Sequence, residues 1–301
     1  MREEQIQEAP VKVLLVGVDV GEEPDFERSM EELASLAEAA EKEVAGQMVQ
    51  RLDHVNKALY IGTGKVTEVR RLAEECGAQE IVFDNSLTPS QVRNLGNELE
   101  LPIIDRTNLI LDIFAIRAQT REAKLQVETA RLQYMLPRLV GMYDALSRQG
   151  GASGSMSNKG TGEKKLELDR RKIEHRITEL KKELEDVGRT REVQRKKRQQ
   201  SRIPQVALVG YTNAGKSTIL NRMVEQFGEL PDKTVMEKDM LFATLETSVR
   251  SVDTGHNKPF FLTDTVGFIN KAAPRTGKSL PLYTGRGEVC GSADPGGGFQ
   301  R

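Results

Sequence analysis

The sequence predicts an α/β protein built as an N-terminal parallel α/β domain, an antiparallel helical hairpin and a partial phosphate-loop domain. Three observations predict it. Residues 11–115 alternate strand-like and helix-like segments. Residues 116–200 carry two matching heptad seams. The turn Gly210-Tyr211-Thr212-Asn213-Ala214-Gly215-Lys216-Ser217 lies between a strand-like and a helix-like run. The boundaries expected are 1–115, 116–200 and 201–271, with 272–301 a Gly/Pro-rich tail.

Val11-Lys12-Val13-Leu14-Leu15-Val16-Gly17 reads as a strand. Phe26 to Val44 has helical spacing at Leu33, Leu36, Ala37 and Ala40. Ala58 to Ile61 and Ile81 to Asp84 read as strands, separated by a helix through Val69 and Leu72. Thr88-Pro89-Ser90 caps the next helix, and Pro102 to Asp105 forms another strand. Strands alternating with helices imply a parallel sheet with helices covering it.

In the second part, Leu125, Leu132, Leu136, Leu139, Tyr143 and Leu146 step by 7, 4, 3, 4 and 3. Leu166, Ile173, Ile177, Leu180, Leu184 and Val187 repeat the same steps. A Gly/Ser-rich break from Gly150 to Gly162 joins them, which fits two helices folded back on one another. The other arrangement these seams allow is two helices packed on different domains. Pro137 is expected to kink the first arm. The second arm ends in Arg189 to Arg198, with six cations and one acid. Such a run fits a solvated linker, and it equally fits contact with RNA phosphates, where affinity comes from counterion release.

Composition narrows the class. The chain has 301 residues, 38% apolar and 30% charged, with a net charge of −1. Cys76 and Cys290 are far apart and in no metal spacing, so a reducing cytosol is expected and a disulfide framework is not. No apolar run approaches the ~18 residues of a membrane span, and the acidic start is no signal peptide. A cytoplasmic monomer is expected. Only His54, His175 and His256 are present, which argues against histidine catalysis or zinc binding.

The glycine-rich turn fits G-x-x-x-x-G-K-[ST], which cradles nucleotide phosphates. Gln205 to Val209 reads as a buried strand entering it, and Thr218 to Val224 as the helix leaving it. Glycines let successive N–H groups converge on one anion, and the helix N-terminus adds partial positive charge. Lys216 is expected at the β- and γ-phosphates, and the Ser217 hydroxyl on Mg²⁺. Downstream, Asp264-Thr265-Val266-Gly267 follows the apolar run Phe260-Phe261-Leu262. Asp264 would hold Mg²⁺ through water, and the Gly267 N–H would sense the γ-phosphate. Between them Leu241-Phe242-Ala243-Thr244-Leu245-Glu246 offers Thr244 as a switch threonine on Mg²⁺. The alternative for Thr244 is an ordinary strand threonine. Lys216, Thr244 and Gly267 are thus the candidate catalytic groups. Ser217, Thr244 and Asp264 are the candidate metal ligands.

Taken together, Val206 to Thr218, Phe242 to Leu245 and Thr263 to Phe268 resemble the HflX GTPases. Upstream, Tyr60-Ile61-Gly62-Thr63-Gly64-Lys65 resembles the family's N-terminal signature. Gly160-Thr161-Gly162-Glu163 before Leu166 to Arg171 resembles its hairpin turn. The resemblance covers residues 10–271 and makes the third part a partial P-loop GTPase domain. It implies a cytoplasmic Mg²⁺-dependent GTPase that binds the large ribosomal subunit and can split stalled ribosomes. The basic hairpin becomes an expected rRNA contact. It further implies slow intrinsic hydrolysis, because Phe268 stands where Ras-like enzymes carry a water-orienting Gln. Asn213 stands where some related GTPases hold K⁺.

The chain also departs from that family. Only 91 residues follow Gly210, and the guanine-reading N-K-x-D is missing. Asn270-Lys271-Ala272-Ala273 begins like it but lacks the Asp. From Ala272 seven Gly and three Pro occur in 30 residues, which fits either a disordered tail or an out-of-frame one. Back-translating Ala272 to Tyr283 and dropping one base permits L-P-H-E-L-V-K-A-F-R-S-T, an amphipathic helix. The expectation is a frame error, which reading the gene decides. It predicts an open sheet edge with exposed apolar surface, and weak discrimination of GTP from ATP. Two other readings stay open: an RNA- or ribosome-binding module without turnover, and an ATPase of another phosphate-loop class. Gly62 to Lys65 is read as a tight turn rather than a second nucleotide site.

Overall fold

The computed structural model describes residues 9–21, 25–149, 159–200, 203–212, 214–227, 248–253 and 259–265. Side chains at 140–149, 159–166, 188–200 and 248 lie outside that description. The first sheet holds β1 (Val11–Asp19), β2 (Lys42–Arg51), β3 (Glu80–Phe83) and β4 (Ile103–Asp105) in the order β2-β1-β3-β4. All its pairs are parallel. β1 is buried on both faces from Val13 to Val18, as its run without a polar side chain there requires. Val13 and Leu15 point to a core with Leu33 and Leu36 of α1 (Phe26–Ala39) and Ile110 and Phe114 of α4 (Arg106–Arg117). Leu14 and Val16 point the other way, to Val69 of α2 (Thr63–Cys76) and Leu95 of α3 (Pro89–Leu99).

Three expectations are corrected here. The helix read as Phe26 to Val44 ends at Ala39, and Val44 lies in β2, paired with Val13. The break has no glycine to announce it, because Glu41 itself takes the left-handed conformation (φ 59). Ala58 to Ile61 is a turn rather than a strand. Its only ladder contact among the described residues is the isolated bridge Asn56–Tyr60, and the Asn56 side chain accepts from the N–H groups of Ala58 and Leu59. Gly62 follows because the Gln50 amide lies 2.9 Å from where a Cβ would stand, while Gln50 Oε1 accepts from the Gly62 N–H. The tight turn expected at Gly62 to Lys65 is instead the start of α2, with Gly62 at its N-cap and Thr63 to Lys65 in its first turn.

α5 (Arg121–Gln149) and α6 (Lys159–Gln200) form the antiparallel pair expected. Arg121 meets Glu183 at 3.0 Å and Glu128 meets Arg176 at 2.9 Å, so one arm ascends as the other descends. Ile177 and Leu180 are buried in the seam. α5 runs through Pro137, and α6 begins early enough to take in Gly160 to Glu163, which were expected in the turn. No helix among the described residues is long and apolar enough to cross a membrane.

α5 is fastened to the sheet at one carboxylate. Asp105 caps α4 by accepting from the Asn108 N–H, and also accepts from the Leu87 N–H. From α5, the Tyr134 hydroxyl and Arg138 (2.9 Å) reach the same side chain. The second sheet holds β5 (Gln205–Leu208), β6 (Ser248–Val252) and β7 (Phe260–Asp264) in the order β5-β7-β6, with α7 (Lys216–Phe227) packed on β6 and β7. β5 was expected to be buried; Gln205, Val206 and Ala207 are exposed. It is an edge strand, and among the described residues no strand flanks its outer side.

Candidate phosphate-binding site

β5 and β7 run parallel with Leu208 beside Asp264, so the glycine-rich turn leaves its strand next to that carboxylate. The chain then reverses at Gly215, whose φ of +76 suits a residue without a Cβ. The Ile219 N–H donates to the Gly215 carbonyl at 2.9 Å, starting α7. Lys216 and Ser217 therefore stand at a helix N-terminus, where N–H groups and the helix dipole favour an anion.

Asp264 is completely buried at the carboxyl end of β7. The Ser217 hydroxyl donates to its Oδ2 at 2.7 Å. Neighbouring Thr265 donates its hydroxyl to the Leu208 carbonyl at 2.6 Å, tying the β7 end to the start of the turn. Lys216 Nζ donates to the Tyr211 carbonyl at 2.6 Å, across the turn. Burial pushes the Lys216 ammonium pKa down, and the negative charge of Asp264 partly opposes that shift. The arrangement offers an ammonium, a hydroxyl and a carboxylate around one turn of main-chain donors. Two hard oxygen donors side by side suit Mg²⁺.

Of the residues expected at the site, Gly210, Tyr211, Thr212, Ala214, Gly215, Lys216, Ser217, Asp264 and Thr265 fall within the described residues. Asn213, Phe242, Ala243, Thr244, Leu245, Glu246, Val266 and Gly267 lie outside them, as do Phe268 and the whole 272–301 tail. Sequence reasoning missed the two carboxylates that resemble Asp264 in placement. Asp84 and Asp105 also follow or end strands of the first sheet and are buried. Both are met by guanidinium groups, Arg106 and Arg138. The signal was present as a repeated apolar-apolar-Asp ending in Val82-Phe83-Asp84 and Ile103-Ile104-Asp105.

Comparison with known proteins covers nearly all of this frame. The family described as "GTP-binding GTPase N-terminal" matches residues 27–115. "GTP-binding GTPase Middle Region" matches 117–198, and "50S ribosome-binding GTPase" matches 205–281. A protein named GTPase HflX from Lacrimispora saccharolytica is 45% identical over 267 residues, 89% of this chain and 61% of the relative. Another of that name from Alkalihalophilus pseudofirmus is 47% identical over 258 residues, 85% of this chain and 59% of the relative. The chain thus spans about three fifths of the length of these relatives. A crystal structure of a GTP-binding protein from the hyperthermophilic archaeon Sulfolobus solfataricus in complex with GDP aligns with a TM-score of 0.48. It is 24% identical, with 91% of this chain and 65% of that chain covered.

Proposed function

The chain belongs to the HflX family of GTPases, and on that premise we propose that its glycine-rich turn binds GTP with Mg²⁺ and that its helical hairpin contacts the large ribosomal subunit. The observation that carries the nucleotide reading is the 2.7 Å contact between Ser217 and fully buried Asp264 at the mouth of the turn. Ser217 and Asp264, with Thr244, would hold the ion. Once bound, Mg²⁺ supplies positive charge against the β- and γ-phosphate oxygens. Lys216 exchanges the Tyr211 carbonyl for phosphate oxygens, and Gly267 reports the γ-phosphate. Asn213 is the residue through which K⁺ would act. Equal turnover in K⁺ and Na⁺ by a full-length relative removes that role.

The division at 115, 200 and 271 gives each part a task. Residues 1–115 set the hairpin, 116–200 meet rRNA through the basic end of α6, and 201–271 bind nucleotide. In the cytoplasm such a protein splits or rescues stalled ribosomes. Cosedimentation with large subunits, falling steeply as salt rises, is the expected result for a phosphate-contacting hairpin. No cosedimentation at low salt removes the ribosomal part.

One observation favours a second reading, a ribosome-binding module without turnover: Arg189 to Arg198 carry six cations against one acid. Calorimetric titration of the chain with GTP, GDP and ATP separates the readings. Binding of GTP at least as tight as ATP, weakened about tenfold or more in Lys216→Ala, supports the nucleotide site. ATP preference points to another phosphate-loop class, and no binding leaves the module.

A further inference from the structure

Thr265 was expected at the site beside the carboxylate of Asp264. Its hydroxyl instead serves the main chain, donating to the Leu208 carbonyl at 2.6 Å. The ladder explains why that carbonyl is within reach. β5 runs parallel to β7 with Gln205 beside Phe261 and Leu208 beside Asp264, and the Phe261 N–H donates to the Pro204 carbonyl at 2.8 Å. Main-chain groups that face the partner strand alternate, so the Leu208 carbonyl turns toward β7 as the Pro204 carbonyl does. β5 ends at Leu208 and β7 at Asp264. The Thr265 hydroxyl therefore carries the pairing one step past the last strand residues. At that point the glycine-rich turn departs on one side and the carboxylate stands on the other. Strand ends fray most readily, and parallel pairs are the weaker kind.

We propose that Thr265 is a positioning residue for the Mg²⁺-nucleotide site: its hydroxyl clips β7 to β5 and so holds Asp264 against Ser217. This rests on the reading of the turn as that site. The path from clip to metal ligands is short. Leu208 stands two residues before Gly210, and the Ser217 hydroxyl reaches Asp264 Oδ2 at 2.7 Å. Asp264 is completely buried and its side chain has a single methylene, so the carboxylate goes where the β7 main chain puts it. Groups behind metal ligands orient them, and losing one costs about 10–100-fold in metal affinity. Thr265 acts at one further remove, through the main chain, and contributes one neutral hydrogen bond. A loss of about three- to tenfold is therefore expected.

Titration of the whole chain with GTP, in Mg²⁺ and again in EDTA, tests it. Thr265→Val keeps the branched shape and loses the donor. It should weaken binding about three- to tenfold in Mg²⁺ and leave the affinity in EDTA unchanged. Thr265→Ser keeps the donor and should restore the parent affinity. Thr265→Ala should act as the valine variant does, and replaces it if that variant does not fold. Without nucleotide, Thr265→Val should speed amide exchange at Leu208, whose N–H faces β7. Exchange at Val252 and Phe260, paired at the far end of β7, should not change. Equal affinity of Thr265→Val and the parent in Mg²⁺ overturns the proposal. So does an equal loss in EDTA, which marks a general loosening of the turn, or a serine variant no better than valine. If the parent binds no nucleotide in either buffer, the reading of the site fails. Exchange at Leu208 then decides the clip, faster exchange supporting it and unchanged exchange overturning it.

Discussion

Asp105 gathers four donors onto one buried carboxylate: the Leu87 and Asn108 N–H groups, the Tyr134 hydroxyl and Arg138. Burial and the Asp105 charge push the Tyr134 phenol far above its usual range, so it remains a donor across the accessible pH range. Arg138 also lies over the Tyr134 ring, 3.3 Å from its centroid. Removing the carboxylate strands a guanidinium and three neutral donors together. Asp105→Ala should therefore cost about 3–5 kcal/mol in urea unfolding, and a change under about 1 kcal/mol would contradict this role. Lys216 gives a pH prediction with the opposite emphasis. In the proposed site phosphate affinity needs the ammonium form, so affinity should be full below the Lys216 pKa and fall as pH rises through it. Because burial depresses that pKa, the fall should begin below the usual lysine value of about 10.4. Affinity measured against pH should show this decline, and Lys216→Arg should remove it. Ser217 and Asp264 were each singled out by a short local motif, and the fold brings the two side chains to 2.7 Å. Tyr134 and Arg138 were not, because their partner lies about thirty residues upstream and only the fold joins them.

Elements were legible where both period and punctuation were present. α3 has Thr88 with Pro89 and Gln91, and the structure returns a full capping box there. α1 had the period but no stop, since Glu41 does what a glycine would announce, and β2 was lost into it. Ala58 to Ile61 had strand-like residues but too few of them, and the Asn56 side chain bends the chain instead. The heptad reading of the hairpin distinguishes positions sharply. Leu180 lies on the seam and is fully buried; Leu168 lies off it and is 54% exposed. Leu180→Ala should cost about 2–5 kcal/mol and speed amide exchange along α5 and α6. Leu168→Ala should change stability by no more than about 0.5 kcal/mol. Equal effects at the two positions would mean that the arms do not pack through this seam.

At the scale of the whole molecule, the two sheets are unequally covered by the described residues. The first has helices on both faces: α1 and α4 close one core around Leu15 and Phe114, and α2 and α3 close the other around Leu14 and Phe83. Among the described residues the second has α7 on one face, and the buried apolar core described there comprises Leu220, Val252 and Leu262. A sheet with parallel strands is stable when both faces are covered. Cooperative unfolding also requires contacts that make one part fail with the other. The first sheet shares its core with α5 through Ala123 and Val127, so it and the hairpin should melt together. The second should melt earlier and separately. Calorimetry is thus expected to show two transitions. Leu220→Ala should abolish or lower the first and leave the second in place, while Asp105→Ala should lower the second. Nucleotide with Mg²⁺ should raise the first alone, because the proposed site lies on that sheet. A single transition that every one of these changes shifts as a whole would show that the three parts fold as one unit.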